Sequence, residues 1–160
     1  MPIKLLFICT HNRCRSILAE AITNKLANGR IVAFSAGSAP QGEVHPLSIQ
    51  FLNERGIATA DLHSQSWDDF AEHAPHAILT MCDNAAAETC PVWFDQSIQV
   101  HWGLVDPSKG ISDESATRVA FEKTINIIER RINKLLESDL SVLDGQELHR
   151  RLSEIAAEIY

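Results

Sequence analysis

The apolar positions change period several times along the chain. Residues 3–8 (IKLLFI) form a short apolar run between Pro2 and a polar loop, which predicts a strand buried on both faces of a parallel sheet. The stretch SILAEAITNKLANG predicts a helix of about three turns, with Ser16 as its cap, Glu20 near its start and Asn28-Gly29 as its stop. Residues 30–35 (RIVAFS) read as a second strand, and AGSAPQGEV as a loop. A second helix is expected from His45-Pro46, where proline suits the first turn, to Gly56, which suits a left-handed C-terminal cap. Residues 76–82 and 97–102 predict the third and fourth strands, and residues 61–74 a short acidic helix.

From Asp113 to about Glu137, residues Phe121, Ile125, Ile128, Ile132 and Leu135 recur at three- and four-residue intervals and mark one face of a long helix. A last helix is expected over 144–159, with Leu148, Leu152, Ile155 and Ile159 on one face behind an Asp144 cap. Alternating strands and helices favour a three-layer α/β domain with an open parallel sheet and right-handed crossovers. A length of 160 residues with 45% apolar content suits one such domain, and no repeat or linker divides it.

The formal net charge of -7 gives no footprint for nucleic acid or for an anionic membrane surface. An anionic substrate would therefore need a local site. The N-terminus lacks the pattern of a signal peptide and no apolar run reaches membrane length, so a cytoplasmic protein is expected. In a reducing compartment, four cysteines point to catalysis or metal rather than to a disulfide framework.

The first strand runs directly into Cys9-Thr10-His11-Asn12-Arg13-Cys14-Arg15-Ser16, a Cys-x5-Arg loop that leads into a helix. Such a loop can turn successive backbone N–H groups inward as an anion nest, and the helix N-terminus adds partial positive charge. Both stabilise a thiolate and a bound oxyanion, so Cys9 is expected to be a thiolate at neutral pH. Arg15 supplies a planar fork for two substrate oxygens, and Ser16 a further donor to the Cys9 sulfur. Cys14 is expected to be structural rather than redox-active. Arg13 and His11 face either solvent or a substrate oxygen.

This loop resembles the phosphate-binding loop of the low-molecular-weight protein tyrosine phosphatases and their arsenate reductase relatives. The resemblance continues through Ser35-Ala36-Gly37, the segment from Cys82 to Cys90-Pro91, and His101-Trp102-Gly103 to Asp106-Pro107, and covers roughly residues 3–136. It implies a phosphotyrosine phosphatase I-like fold with a four-stranded parallel sheet of order 2-1-3-4. Cys9 and Cys82 would then be neighbours across the switch point between strands 1 and 3. Residues 138–160 would form a helical extension to the family core.

The resemblance also implies chemistry: Cys9 as nucleophile, Asp106 as general acid, and a disulfide passed from Cys9/Cys82 to Cys82/Cys90. The substrate would be arsenate, the electron donor thioredoxin or glutaredoxin with glutathione, and the protein a monomer without cofactor. Ile17, where the phosphatases usually carry proline, and the absence of aromatic residues after Asp106-Pro107 favour a reductase over a phosphatase. A non-enzymatic oxyanion or arsenical regulator is the third reading. Zinc fits the cysteine spacings poorly, seven residues separating Cys82 from Cys90. Some relatives hold a potassium ion near residues equivalent to Asn12, Glu20 and Ser35 with an acid near position 65, where this chain has Gln65.

Overall fold

The structure is a computed structural model describing residues 2–87, 90–109 and 113–160, side chains excepted at Ala87. Its centre is a parallel sheet of β1 (Ile3–Ile8), β2 (Ile31–Ala36), β3 (Ala77–Thr80) and β4 (Ile98–His101), in the order 2-1-3-4. Leu5, Leu6, Phe7 and Ile8 are completely buried, as a continuous apolar run in a central strand requires. Pairing of Ile8 with Ala36 on one side and Thr80 on the other brings three strand ends to one edge. There the chain places its reactive loops.

The flanking helices are α1 (Arg15–Ala27), α2 (Pro46–Glu54), α3 (Asp83–Ala87), α4 (Glu114–Leu136) and α5 (Gly145–Glu158). α4 buries Phe121, Ile125, Ile128, Ile132 and Leu135, the face that the periodicity marks. α1 packs against β1, β2 and α4, and is buried nearly all round. No helix among the described residues is long and apolar enough to cross a membrane.

Several boundaries differ from the sequence reading. α1 starts at Arg15 with Cys14 as its cap residue, so Ser16 lies inside the first turn and does not cap it. The Ser16 hydroxyl is instead engaged by Asn12. Residues 61–74 hold only one 3₁₀ turn, Trp67–Phe70, whose start the Ser66 side chain caps. β3 ends at Thr80, short of Cys82, because the Cys82 sulfur accepts the Ala85 N–H at 3.4 Å and turns the chain into α3. A second 3₁₀ turn spans Val92–Gln96.

The C-terminal segment packs on β4 and α4. Leu148, Leu152 and Ile155 are buried, and the Trp102 indole donates to the Leu152 carbonyl at 2.9 Å. Arg131, fully buried, donates to the carbonyls of Ile159 and Trp102, both at 2.7 Å, and lies over the Trp102 ring. Burial pulls its pKa down to about 10. The segment thus fastens the root of the loop that carries Asp106.

Candidate active site

The chain leaving β1 is held from outside. The carbonyls of Thr10, His11 and Arg13 accept the N–H groups of Ala39, Gln41 and His45. In planar trans peptides the next N–H points the opposite way, so those of His11, Asn12 and Cys14 turn from that segment towards the pocket these residues line. Asn12 makes the reversal with a left-handed φ of 49°, which asparagine tolerates well. Gly37 lets the second segment come this close: a Cβ there would lie 2.5 Å from the Thr10 carbonyl oxygen and 2.6 Å from that of Cys9. This is the physical content of Ser35-Ala36-Gly37.

The pocket has a volume of about 90 Å³, the size of a small oxyanion, and gathers Cys9 to Arg15 with Cys82, Asp106, His45, Asn84 and Lys109. A larger cavity, about 910 Å³, lies at the other edge of the sheet beside Pro2, His76 and Ile98, remote from these groups. Arg15 donates Nη1 to the Leu104 carbonyl at 2.8 Å, and Nη2 lies 3.7 Å from Asp106 Oδ2. Its buried Nε has no partner, a donor left for a ligand. Burial raises the Asp106 pKa, but the Ser108 hydroxyl and amide and the Arg15 guanidinium outweigh it and hold Asp106 below the ordinary carboxylate range. Asp106 is therefore ionised before an anion arrives.

None of the four cysteines is disulfide-bonded. Cys9 and Cys82 line the same pocket, each shifting the proton affinity of the other, and Thr10 Oγ1 lies 3.8 Å from the Cys82 sulfur. Cys82 and burial push the Cys9 thiol up, against the lowering effect of Arg15 and the Ser16 amide. Cys9, with the Ala85 and Thr10 amides, pulls Cys82 down to about 5. The pair thus favours the anion on Cys82 over Cys9, opposite to what the loop alone leads one to expect for Cys9. Cys14 is pushed up to about 12 by burial and stays a thiol. Cys90 is half-buried beyond α3; residues 88, 89 and 110–112, parts of the redox segment and of the stretch after Asp106-Pro107, lie outside the described residues.

Other loop side chains point elsewhere. Asn12 gives both amide hydrogens to the hydroxyls of Ser16 and Ser35 and accepts the Gln65 N–H, so its contribution to a ligand is its backbone. The Ser16 amide, not its hydroxyl, faces the Cys9 sulfur. His11 turns to Ala39 and Gln41, and Arg13 to the Glu43 carbonyl. Glu20 accepts the Ser35 hydroxyl at 2.5 Å, and burial pushes its pKa up to about 7. Beside Asn12, Glu20 and Ser35, the Gln65 side chain donates to the Ser35 carbonyl at 3.1 Å. Among the described residues no group of three His, Cys, Asp or Glu stands together as a metal site.

Sequence reasoning missed His45. Its Nδ1 accepts the Leu47 N–H at 3.1 Å and caps α2, while burial and Arg13 lower its proton affinity against the pull of Asp106. The ring is therefore neutral with its proton on Nε2, at the wall of the pocket. A histidine before a proline carried a capping signal, but nothing in its spacing tied it to Cys9.

Comparison with known proteins gives the family. The model of the family described as low molecular weight phosphotyrosine protein phosphatase matches residues 4–151. An arsenate reductase of Halalkalibacterium halodurans is 30% identical over 132 residues, covering 82% of this chain and 94% of that protein. A glutaredoxin arsenate reductase of Synechocystis is 31% identical over 104 residues, covering 65% and 78%. The solved thioredoxin-dependent arsenate reductase of Corynebacterium glutamicum superposes with a TM-score of 0.66 at 28% identity, over 88% of this chain but only 63% of that one. The chain belongs to the low molecular weight phosphotyrosine protein phosphatase family, and within it to the arsenate reductases.

Proposed function

We propose that this protein reduces arsenate to arsenite through a Cys9 adduct and a relay of Cys9, Cys82 and Cys90. The observation that carries the reading is the second thiol, Cys82, lining the same oxyanion-sized pocket as Cys9. A phosphatase needs the nucleophile, the arginine and the acid, but has no use for Cys82 there.

Arsenate enters against the loop amides, the Arg15 fork and Lys109. As Cys9 attacks arsenic, the proton of the sulfur pair moves to Cys82, and a Cys9–arsenic bond replaces one arsenic–oxygen bond. The arriving negative charge raises the proton affinity of Asp106, through which the departing oxygen gains its proton and leaves as water. Cys82, losing its proton again, attacks the Cys9 sulfur. The sulfur–arsenic bond breaks with its electron pair going to arsenic, which leaves as arsenite, and a Cys9–Cys82 disulfide remains. Cys90 then displaces Cys9 from Cys82, and an external dithiol of the thioredoxin or glutaredoxin class reduces the Cys82–Cys90 disulfide.

The test is arsenite production from arsenate by the purified protein with thioredoxin, thioredoxin reductase and NADPH, and separately with glutaredoxin and glutathione. Turnover with one donor that is lost in both Cys82→Ser and Cys90→Ser supports the relay and identifies the donor. Absence of turnover with either, together with phosphomonoester hydrolysis unaffected by the two substitutions, would make the protein a phosphatase.

A further inference from the structure

The segment that carries Asp106 borders a second cavity. Between this segment, one face of α4 and Tyr160 lies a groove of about 470 Å³. That falls within the range of roughly 300–1,000 Å³ typical of small-molecule sites. Its walls are already held in place. Arg15 donates to the Leu104 carbonyl at 2.8 Å, and Arg131 to the carbonyl of Ile159, the residue before Tyr160, at 2.7 Å. Leu104, Pro107 and Ile127 supply an apolar lining, and Val105 and Tyr160, also lining it, are 87% and 83% exposed. Large apolar side chains left in water beside a formed groove mark a surface that a ligand can cover.

The charge around the groove selects the ligand. Among the described residues its charged lining groups are Asp106, Lys109 and Lys123. Asp106 is already answered by the Ser108 hydroxyl at 2.6 Å and by Arg15 at 3.7 Å. Lys123 is exposed, and the positions three and four residues from it on α4 are Val119, Ala120, Asn126 and Ile127, so no carboxylate of its own helix pairs with it. In a chain of net charge -7, two ammonium groups beside an apolar lining reverse the local sign. An apolar body matches the lining and a carboxylate matches the lysines. Lys109 also lines the oxyanion pocket, so an anion in the groove and one beside Cys9 draw on the same cation and repel each other.

We infer that this groove binds a small carboxylic acid with an apolar body, of the aromatic acid class, and that through Lys109 this ligand and the oxyanion weaken each other's binding. The mutual weakening rests on the placing of the substrate proposed above; occupancy of the groove does not.

The test titrates 1-naphthaleneacetate into the reduced protein by calorimetry, with 1-naphthaleneacetamide as its uncharged counterpart. Inorganic phosphate stands in for arsenate, because it enters no redox step. The acid should bind one per chain, and the amide about two- to fivefold more weakly. Lys123→Gln should lower affinity for the acid by a similar factor and leave arsenate turnover without the acid unchanged. Ala120→Phe, which fills the groove, should abolish binding. Saturating phosphate should weaken the acid about two- to fivefold, and the acid should weaken phosphate by the same factor, as linkage requires. Absence of binding, equal affinity for acid and amide, or an affinity indifferent to phosphate would overturn the inference. So would displacement by phosphate with affinity unchanged in Lys123→Gln, which would put the acid in the oxyanion pocket itself. No arsenite from the wild type would sink the proposed reaction, while the phosphate titrations still judge the groove.

Discussion

Glu20 gives the most quantitative prediction about this scaffold. It lies beneath the Cys9 loop, and its burial, reinforced by the nearby Asp61, raises its pKa from 4.5 to about 7 despite the hydrogen bond from Ser35. Below pH 4 the carboxyl is protonated in both the folded and the unfolded chain and has no effect on their balance. Between 4.5 and 7 the unfolded chain has released the proton while the folded one keeps it, so stability falls as pH rises through this window. At about 1.4 kcal/mol per pH unit, the loss attributable to Glu20 is about 3 kcal/mol by pH 8. Glu20→Gln keeps an oxygen for Ser35 and removes the titration. Urea denaturation of both proteins from pH 4 to about pH 9 should show the substitution becoming progressively stabilising, with the difference levelling off above about pH 8. Parallel curves for the two proteins, with no pH-dependent difference, would refute the buried, uncompensated carboxylate.

Gly37→Ala should push the loop carbonyls of Cys9 and Thr10 and cost about 1–3 kcal/mol, with a slower reaction of Cys9 towards iodoacetamide as the local readout. Arg131→Met removes the donors of two buried carbonyls and should cost about 2–4 kcal/mol, read as a fall in Tm, with a lowered turnover because Trp102 roots the Asp106 loop. His45→Ala should lose about 1 kcal/mol with the α2 cap, and His45→Asn should keep that stability. Both should raise the KM for arsenate about two- to tenfold if the Nε2 hydrogen meets the substrate; a normal KM in His45→Asn would confine His45 to capping.

Much of this was legible because it depends on short-range pattern. The run of 3–8 is apolar but for Lys4, and the face of α4 repeats over about four turns, so β1 and α4 fall where the periodicity puts them. The Cys9–Arg15 loop is contiguous, so its junction with α1 could be read directly. What escaped depends on tertiary company. α3 has five residues and no room for a period, and its start is set by the Cys82 sulfur capping Ala85. The cap of α1 shifted to Cys14 because Asn12 had claimed the Ser16 hydroxyl. The opposite pulls on the Cys9 and Cys82 thiols arise between residues 73 positions apart in the chain, which spacing alone cannot price. Arg131 reads as a polar break in an apolar face, yet it is buried because two carbonyls and an indole ring receive it.

The central claim is that Cys82 attacks an arsenic-bearing Cys9, and the most direct measurement is disulfide mapping of Cys90→Ser after one equivalent of arsenate. The account predicts one arsenite released per protein and a trapped Cys9–Cys82 disulfide. Arsenite release with both thiols still reduced, or no arsenite at all, would contradict it.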